Sequence, residues 1–122
     1  MGVACYPDMP RREAPDSLSL AVGERIRSLR IEGGMTIEQL AEESNTGSKG
    51  HLSNIERGLV RPNIHTLKQI ADGLGVKALD LLTFPKKSAR ERLIDMSRRL
   101  TGAKLAELIK DAARWLSRSG RD

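Results

Sequence analysis

The chain has 122 residues, of which 39% are hydrophobic, 30% charged and only 2% aromatic, and its net charge is +5. That length supports one compact domain with at most an appendage, and the composition predicts a folded protein with an aliphatic core. No apolar run approaches the roughly 18 residues that a membrane-spanning helix needs, and a single cysteine excludes an internal disulfide.

The positive charge is concentrated towards the C-terminus. Residues 18–85 carry as many acidic as basic side chains, whereas residues 86–104 are strongly basic. A basic excess favours a nucleic-acid partner. Because the excess lies outside residues 18–85, charge alone says little about the partner of that larger segment.

The N-terminal third of the chain predicts an arm and one helix. Residues 1–17 hold three of the five prolines and no periodic pattern, which predicts a flexible arm. A helix then follows, because apolar residues recur on one face at positions 18, 22, 26 and 29. It should end at Gly33 and Gly34, where glycine readily adopts a left-handed conformation.

Two short helices with clear caps come next. Thr36 is followed three residues later by Gln39, the signature of a capping box, and this second helix should end near Ser44 or Asn45. Ser48 is the expected cap of a third helix that runs to about Arg57.

Two further helices complete the segment 18–85. Asn63 should cap the fourth helix, whose inner face has the helical spacing of Ile64, Leu67, Ile70, Ala71 and Leu74. A short fifth helix is expected over about residues 77–82, before Pro85. No useful length of sequence alternates with period two, so the predicted fold is all-α.

Residues 86–122 are predicted to form a two-helix extension. Ser88 and Thr101 are possible caps, and a helical stripe of apolar residues comprises Leu105, Leu108, Ile109, Ala112, Trp115 and Leu116. Two short helices cannot bury this stripe alone. It should therefore pack on another copy of the chain and form a homodimer. Alternatively, it folds back on the fifth helix, and the basic segment adds nonspecific DNA affinity.

The second and third helices are separated by only about four residues, "NTGS", which predicts a helix-turn-helix. Around them, "TIEQLAEESNTGSKGHLSNIERGLVRPNIHTLKQIADGLGV" resembles the lambda-repressor/Cro-type helix-turn-helix family, also called the XRE family. With "GERIRSLR" upstream, the resemblance covers about residues 19–82. Six residues separate Ala41 from Ser48 where the family usually has five, so we expect a slightly longer turn.

The resemblance implies a five-helix DNA-binding domain whose third helix enters the major groove of double-stranded DNA. Lys49 suits the O6 and N7 acceptors of guanine, and Asn54 suits N6 and N7 of adenine. Gly50 would let the backbone approach the duplex closely. The expected base-contacting residues are Ser48, Lys49, Gly50, Ser53 and Asn54.

Phosphate contacts are expected at both ends of this unit. The second helix directs its positive dipole end outwards at Thr36 and Ile37. The other expected phosphate contacts are His51, Arg57, Arg61 and Asn63. The resemblance also implies a structural ion pair between Arg30 and Glu56, which would tie the first helix to the end of the third.

The resemblance implies a cytoplasmic, nucleoid-associated transcriptional regulator, expected to be a repressor, that binds a pseudo-palindromic operator as a dimer. An alternative is an antitoxin or coactivator-type module whose main partner is another protein. Only two histidines are present, with no glycine-rich phosphate loop and no ligand-spaced carboxylates. We therefore expect no enzymatic activity, no metal and no cofactor.

Overall fold

The computed structural model describes residues 16–119, and all regular secondary structure within them is helical. The all-α prediction is therefore confirmed. The helices are α1 (Ser17–Glu32), α2 (Ile37–Ser44), α3 (Lys49–Glu56), α4 (Ile64–Leu74), α5 (Ala78–Leu81), α6 (Ala89–Ser97) and α7 (Gly102–Ser119). The expected arm lies outside the described residues, except that Asp16 caps α1 and Ser17 begins it.

The chain divides into two compact units after Phe84. In the first unit, α1 to α5 all contribute to one aliphatic core. Its buried members are Val22, Ile26, Leu29, Leu40, Ala41, Leu52, Ile55, Ile70, Ala71 and Leu81. Burying these side chains is the main favourable contribution to folding of this unit.

Side-chain caps define where the central helices begin. The hydroxyl of Thr36 accepts from the amide of Gln39 at 3.0 Å, and the Gln39 side chain accepts from the Thr36 amide at 2.8 Å. Ser48 caps α3, and Asn63 caps α4. The predicted caps are confirmed, because short polar side chains satisfy amides that lack partners at a helix start.

The predicted inner face of α4 was wrong at Ile64, whose side chain is 80% exposed. Burial increases along the helix, from half-buried Leu67 to fully buried Ile70 and Ala71. Ile64 lies in the first turn, beyond the edge of the core, so helical spacing alone overestimated its burial. The fifth helix, expected over about residues 77–82, comprises Ala78–Leu81 with Lys77 and Leu82 as its caps, and the Lys77 amide donates to the Asp80 carboxylate at 3.0 Å.

The second unit contains α6 and α7, which begin after Ser88 and Thr101 as predicted. The side chains of both residues accept hydrogen bonds from amides three positions later. No residue within either helix is fully buried. On α7, Ile109, Trp115 and Leu116 are exposed apolar side chains.

Candidate nucleic-acid interface

The turn between α2 and α3 is closed by local conformations that suit its sequence. Asn45 adopts the left-handed conformation with φ of 57°, and Gly47 has φ of 105°. The hydroxyls of Ser44 and Thr46 lie 2.9 Å apart within hydrogen-bonding distance. Asparagine tolerates positive φ better than most residues, and glycine has no side chain to oppose it. The longer turn therefore still connects two short helices.

A largely buried ion pair ties α3 to α1. Arg30 donates from Nε to Glu56 Oε2 at 2.7 Å and from Nη2 to Oε1 at 3.1 Å. The side chains are only 13% and 5% exposed. The hydrogen bonds to Glu56 are the largest cause that raises the pKa of Arg30, so the guanidinium stays charged. Arg30 also donates to the carbonyl of Met35 at 2.9 Å, just before α2.

Gly23 allows α1 and α3 to approach very closely. A Cβ atom at this position would lie 2.4 Å from the carbonyl oxygen of Glu56, which is too close for any real side chain. This contact was not predicted from the sequence. The available signal was a glycine inside a helical pattern, which often marks close packing.

The residues expected to contact bases lie along the side of α3 opposite its buried apolar residues, Leu52 and Ile55. Lys49 and Gly50 are exposed, as is the cap residue before them. Ser53 and Asn54 are half-buried. Gly50 lies on open surface, where an added Cβ would meet only the Ser48 hydroxyl at 3.9 Å.

The residues expected to contact phosphates lie in different surroundings. The Thr36 amide is already bonded within the capping box, and the Asn63 side chain is bonded to the amide of Thr66. The half-buried Ile37 begins α2. His51 and Arg57 are exposed.

Two surface ion pairs involve residues predicted to bind DNA, and neither acidic partner was predicted from the sequence. Lys49 Nζ lies 2.9 Å from Glu38 Oε2, and Arg61 Nε lies 2.9 Å from Asp16 Oδ2. The hydrogen bond from Lys49 is the largest cause that lowers the pKa of Glu38. The pKa of Asp16 is lowered chiefly by the amide of Ser19, with Arg61 contributing less. Asp16 and Glu38 lie on different elements from Arg61 and Lys49, so only the fold reveals these pairs.

Within residues 16–119, no group of three or more histidine, cysteine or acidic side chains is placed to hold a metal ion. None of the helices in this part of the chain is both long and apolar enough to cross a membrane.

Comparison with known proteins identifies the family. A family model described as Helix-turn-helix matches residues 26–81. The immunity repressor protein of Bacillus phage phi105 is 40% identical over 58 residues, which cover 48% of this chain and 40% of that protein. The control protein C.BamHI of Bacillus amyloliquefaciens is 31% identical over 70 residues, covering 57% of this chain and 85% of that protein.

A solved structure extends the similarity. The clp gene regulator ClgR from Corynebacterium glutamicum matches with a TM-score of 0.53 and 30% identity, covering 87% of this chain and 97% of that one. Some relatives are much longer, and the chain spans only 27% of a regulatory protein from Aeropyrum pernix. The matched proteins are named as regulators and not as enzymes. The chain therefore belongs to the XRE-type helix-turn-helix family of DNA-binding transcriptional regulators.

Proposed function

We propose that this chain regulates transcription by placing α3 in the major groove of operator DNA. The observation that carries the proposal is the arrangement of α3 itself. Its apolar side is buried, its end is fixed to α1 by Arg30 and Glu56, and its polar N-terminal end is exposed. A rigid helix with exposed donors and acceptors meets the requirements for direct readout of base edges.

The residues have distinct roles in this proposal. Base contacts come from Ser48, Lys49, Gly50, Ser53 and Asn54, of which the first three are exposed and the last two half-buried. Phosphate contacts orient the domain without reading sequence, and they come from Thr36, Ile37, His51, Arg57, Arg61 and Asn63. The protein would act in the cytoplasm, at the nucleoid, with repression as the expected mode.

We infer that two copies act together through α7. The apolar stripe is incompletely covered, since Ile109 and Leu116 are 61% and 68% exposed. The match to ClgR covers 87% of this chain, so it extends beyond the first unit into the second. Dimers of small helix-turn-helix domains read two half-sites about one helical turn apart. The same exposed stripe would equally suit the alternative of a partner protein of another kind.

Replacing Asn54 by alanine tests the role of α3. Sequencing the fragments that the full chain selects from random duplexes first identifies its preferred site. On that site, Asn54→Ala should lose about 1–3 kcal/mol of binding free energy and relax the preference at one base pair. Ser28→Ala, an exposed change on α1, serves as the control. Equal loss on every duplex would contradict base reading by Asn54.

A further inference from the structure

A surface ion pair joins the first turns of α2 and α3. The ammonium of Lys49 lies 2.9 Å from Glu38 Oε2, and the two side chains are 60% and 62% exposed. Thr36 and Ser48 cap these helices, so both charged residues lie within two positions of a helix start. The pair therefore lies at the N-terminal end of α3, beside Ser48 and Gly50, two of the proposed base-contacting residues.

The helix dipoles favour one of these charges and oppose the other. The positive end of α2 stabilises an acidic side chain such as Glu38, whereas the same end of α3 repels Lys49. The hydrogen bond from Lys49 is the main cause that lowers the pKa of the Glu38 carboxyl, which is therefore ionised at neutral pH. The Glu38 carboxylate therefore offsets the positive charge of Lys49 before DNA binds.

A carboxylate at this place discriminates between duplexes. It accepts hydrogen bonds but donates none, and phosphates repel it. In the major groove, a G·C pair presents two adjacent acceptors on guanine, which suit an ammonium, and the N4 amino group of cytosine, which suits a carboxylate. An A·T pair places its amino group between two acceptors, so the same two side chains match it less well.

We propose that Glu38 is a specificity-determining residue that reads one G·C base pair together with Lys49 and weakens binding to duplexes that lack it. This inference rests on the proposed function. On a matching pair, Lys49 donates to guanine while Glu38 accepts from cytosine. On any other duplex, Glu38 faces acceptors or phosphates, and Lys49 contributes little to nonspecific attraction.

Selection from random duplexes with the full chain tests the inference. The wild-type protein should enrich a G·C pair at one position of each half-site by on the order of tenfold. Glu38→Gln and Lys49→Gln should each remove most of that enrichment and leave the other positions unchanged. Glu43→Gln is the matched control, since it removes the same charge from another exposed position of α2.

A salt titration distinguishes this role from a merely structural one. Glu38→Gln should bind a fixed random-sequence duplex more tightly than the wild type does, because Lys49 becomes available to phosphates. The slope of log affinity against log salt should steepen by up to about one unit per protomer. Adding Lys49→Gln to this variant should reverse the change in slope.

Three outcomes would overturn the inference. If Glu38→Gln still enriched the G·C pair as strongly as the wild type does, the inference would be overturned and the proposed function would stand. The same would follow if Glu38→Gln weakened binding to every duplex equally. If the wild-type protein enriched no sequence at all, the proposed function would fall together with the inference.

Discussion

Gly23 shows how a single residue positions α3. Its Cα faces the main chain of Glu56, and any Cβ would lie 2.4 Å from that carbonyl oxygen. Within a helix, alanine is more favourable than glycine by about 1 kcal/mol, yet at position 23 there is no room for its methyl group. The steric cost exceeds the helix preference because the obstructing atoms belong to the backbone and cannot rotate away.

We therefore expect Gly23→Ala to lower the free energy of unfolding by about 1–3 kcal/mol, as overpacked cores typically do. Urea denaturation followed by circular dichroism measures the change. Gly102→Ala is the matched control, because no atom lies within 4 Å of a Cβ at that position. A Gly23→Ala variant as stable as the wild type would show that α1 and α3 are less closely packed.

Arg61 is already paired with a carboxylate, that of Asp16, in the protein without DNA. Arg61→Ala should weaken binding to all duplexes alike and lower the salt slope by about one unit per protomer. Asp16→Asn should have the opposite effect on affinity, because asparagine also caps a helix but does not offset Arg61. Titrations on specific and random duplexes check both variants. An unchanged slope for Arg61→Ala would exclude Arg61 as a phosphate contact.

At the scale of elements, helix boundaries were predictable because their signals are local. Thr36, Ser48 and Asn63 each bond an amide three residues away, so sequence spacing alone identifies them. Pairing between elements was not predictable from spacing. Asp16 and Arg61, for example, are brought together only by the packing of the helices. The pairing of Arg30 with Glu56 was anticipated from family resemblance, not from periodicity.

The Arg30–Glu56 pair joins α1 to α3 through two side-chain hydrogen bonds. We expect Glu56→Gln to lower the free energy of unfolding by about 3 kcal/mol. This is the lower end of the range for breaking a buried ion pair, chosen because the Arg30 side chain is still 13% exposed. Chemical denaturation measures this loss. Lys68→Gln, which breaks the exposed pair with Asp72, should change stability by less than about 0.5 kcal/mol. If Glu56→Gln and Lys68→Gln lowered the free energy of unfolding by similar amounts, Glu56 would contribute no more to stability than an exposed ion pair does.

At the scale of the whole molecule, the two units differ in how they bury apolar surface. The first has a complete aliphatic core that ends with Leu81, and the second has helices without a fully buried residue. The sequence predicted this difference, because the α7 stripe had too few partners in its own segment. The surface that covers the stripe depends on what the chain associates with, and the sequence pattern of one chain does not specify that partner.

Removing the second unit tests whether the stripe forms the dimer. A chain ending at Pro85 keeps the core of the first unit, so it should remain folded but become monomeric, as judged by chromatography with light scattering. In the full chain, Ile109→Glu should also give monomers, because a charge cannot be buried unpaired in an apolar interface. Ser117→Glu, placed off the stripe, should leave the dimer intact. If the shortened chain were still dimeric, the dimer interface would have to lie within the first unit.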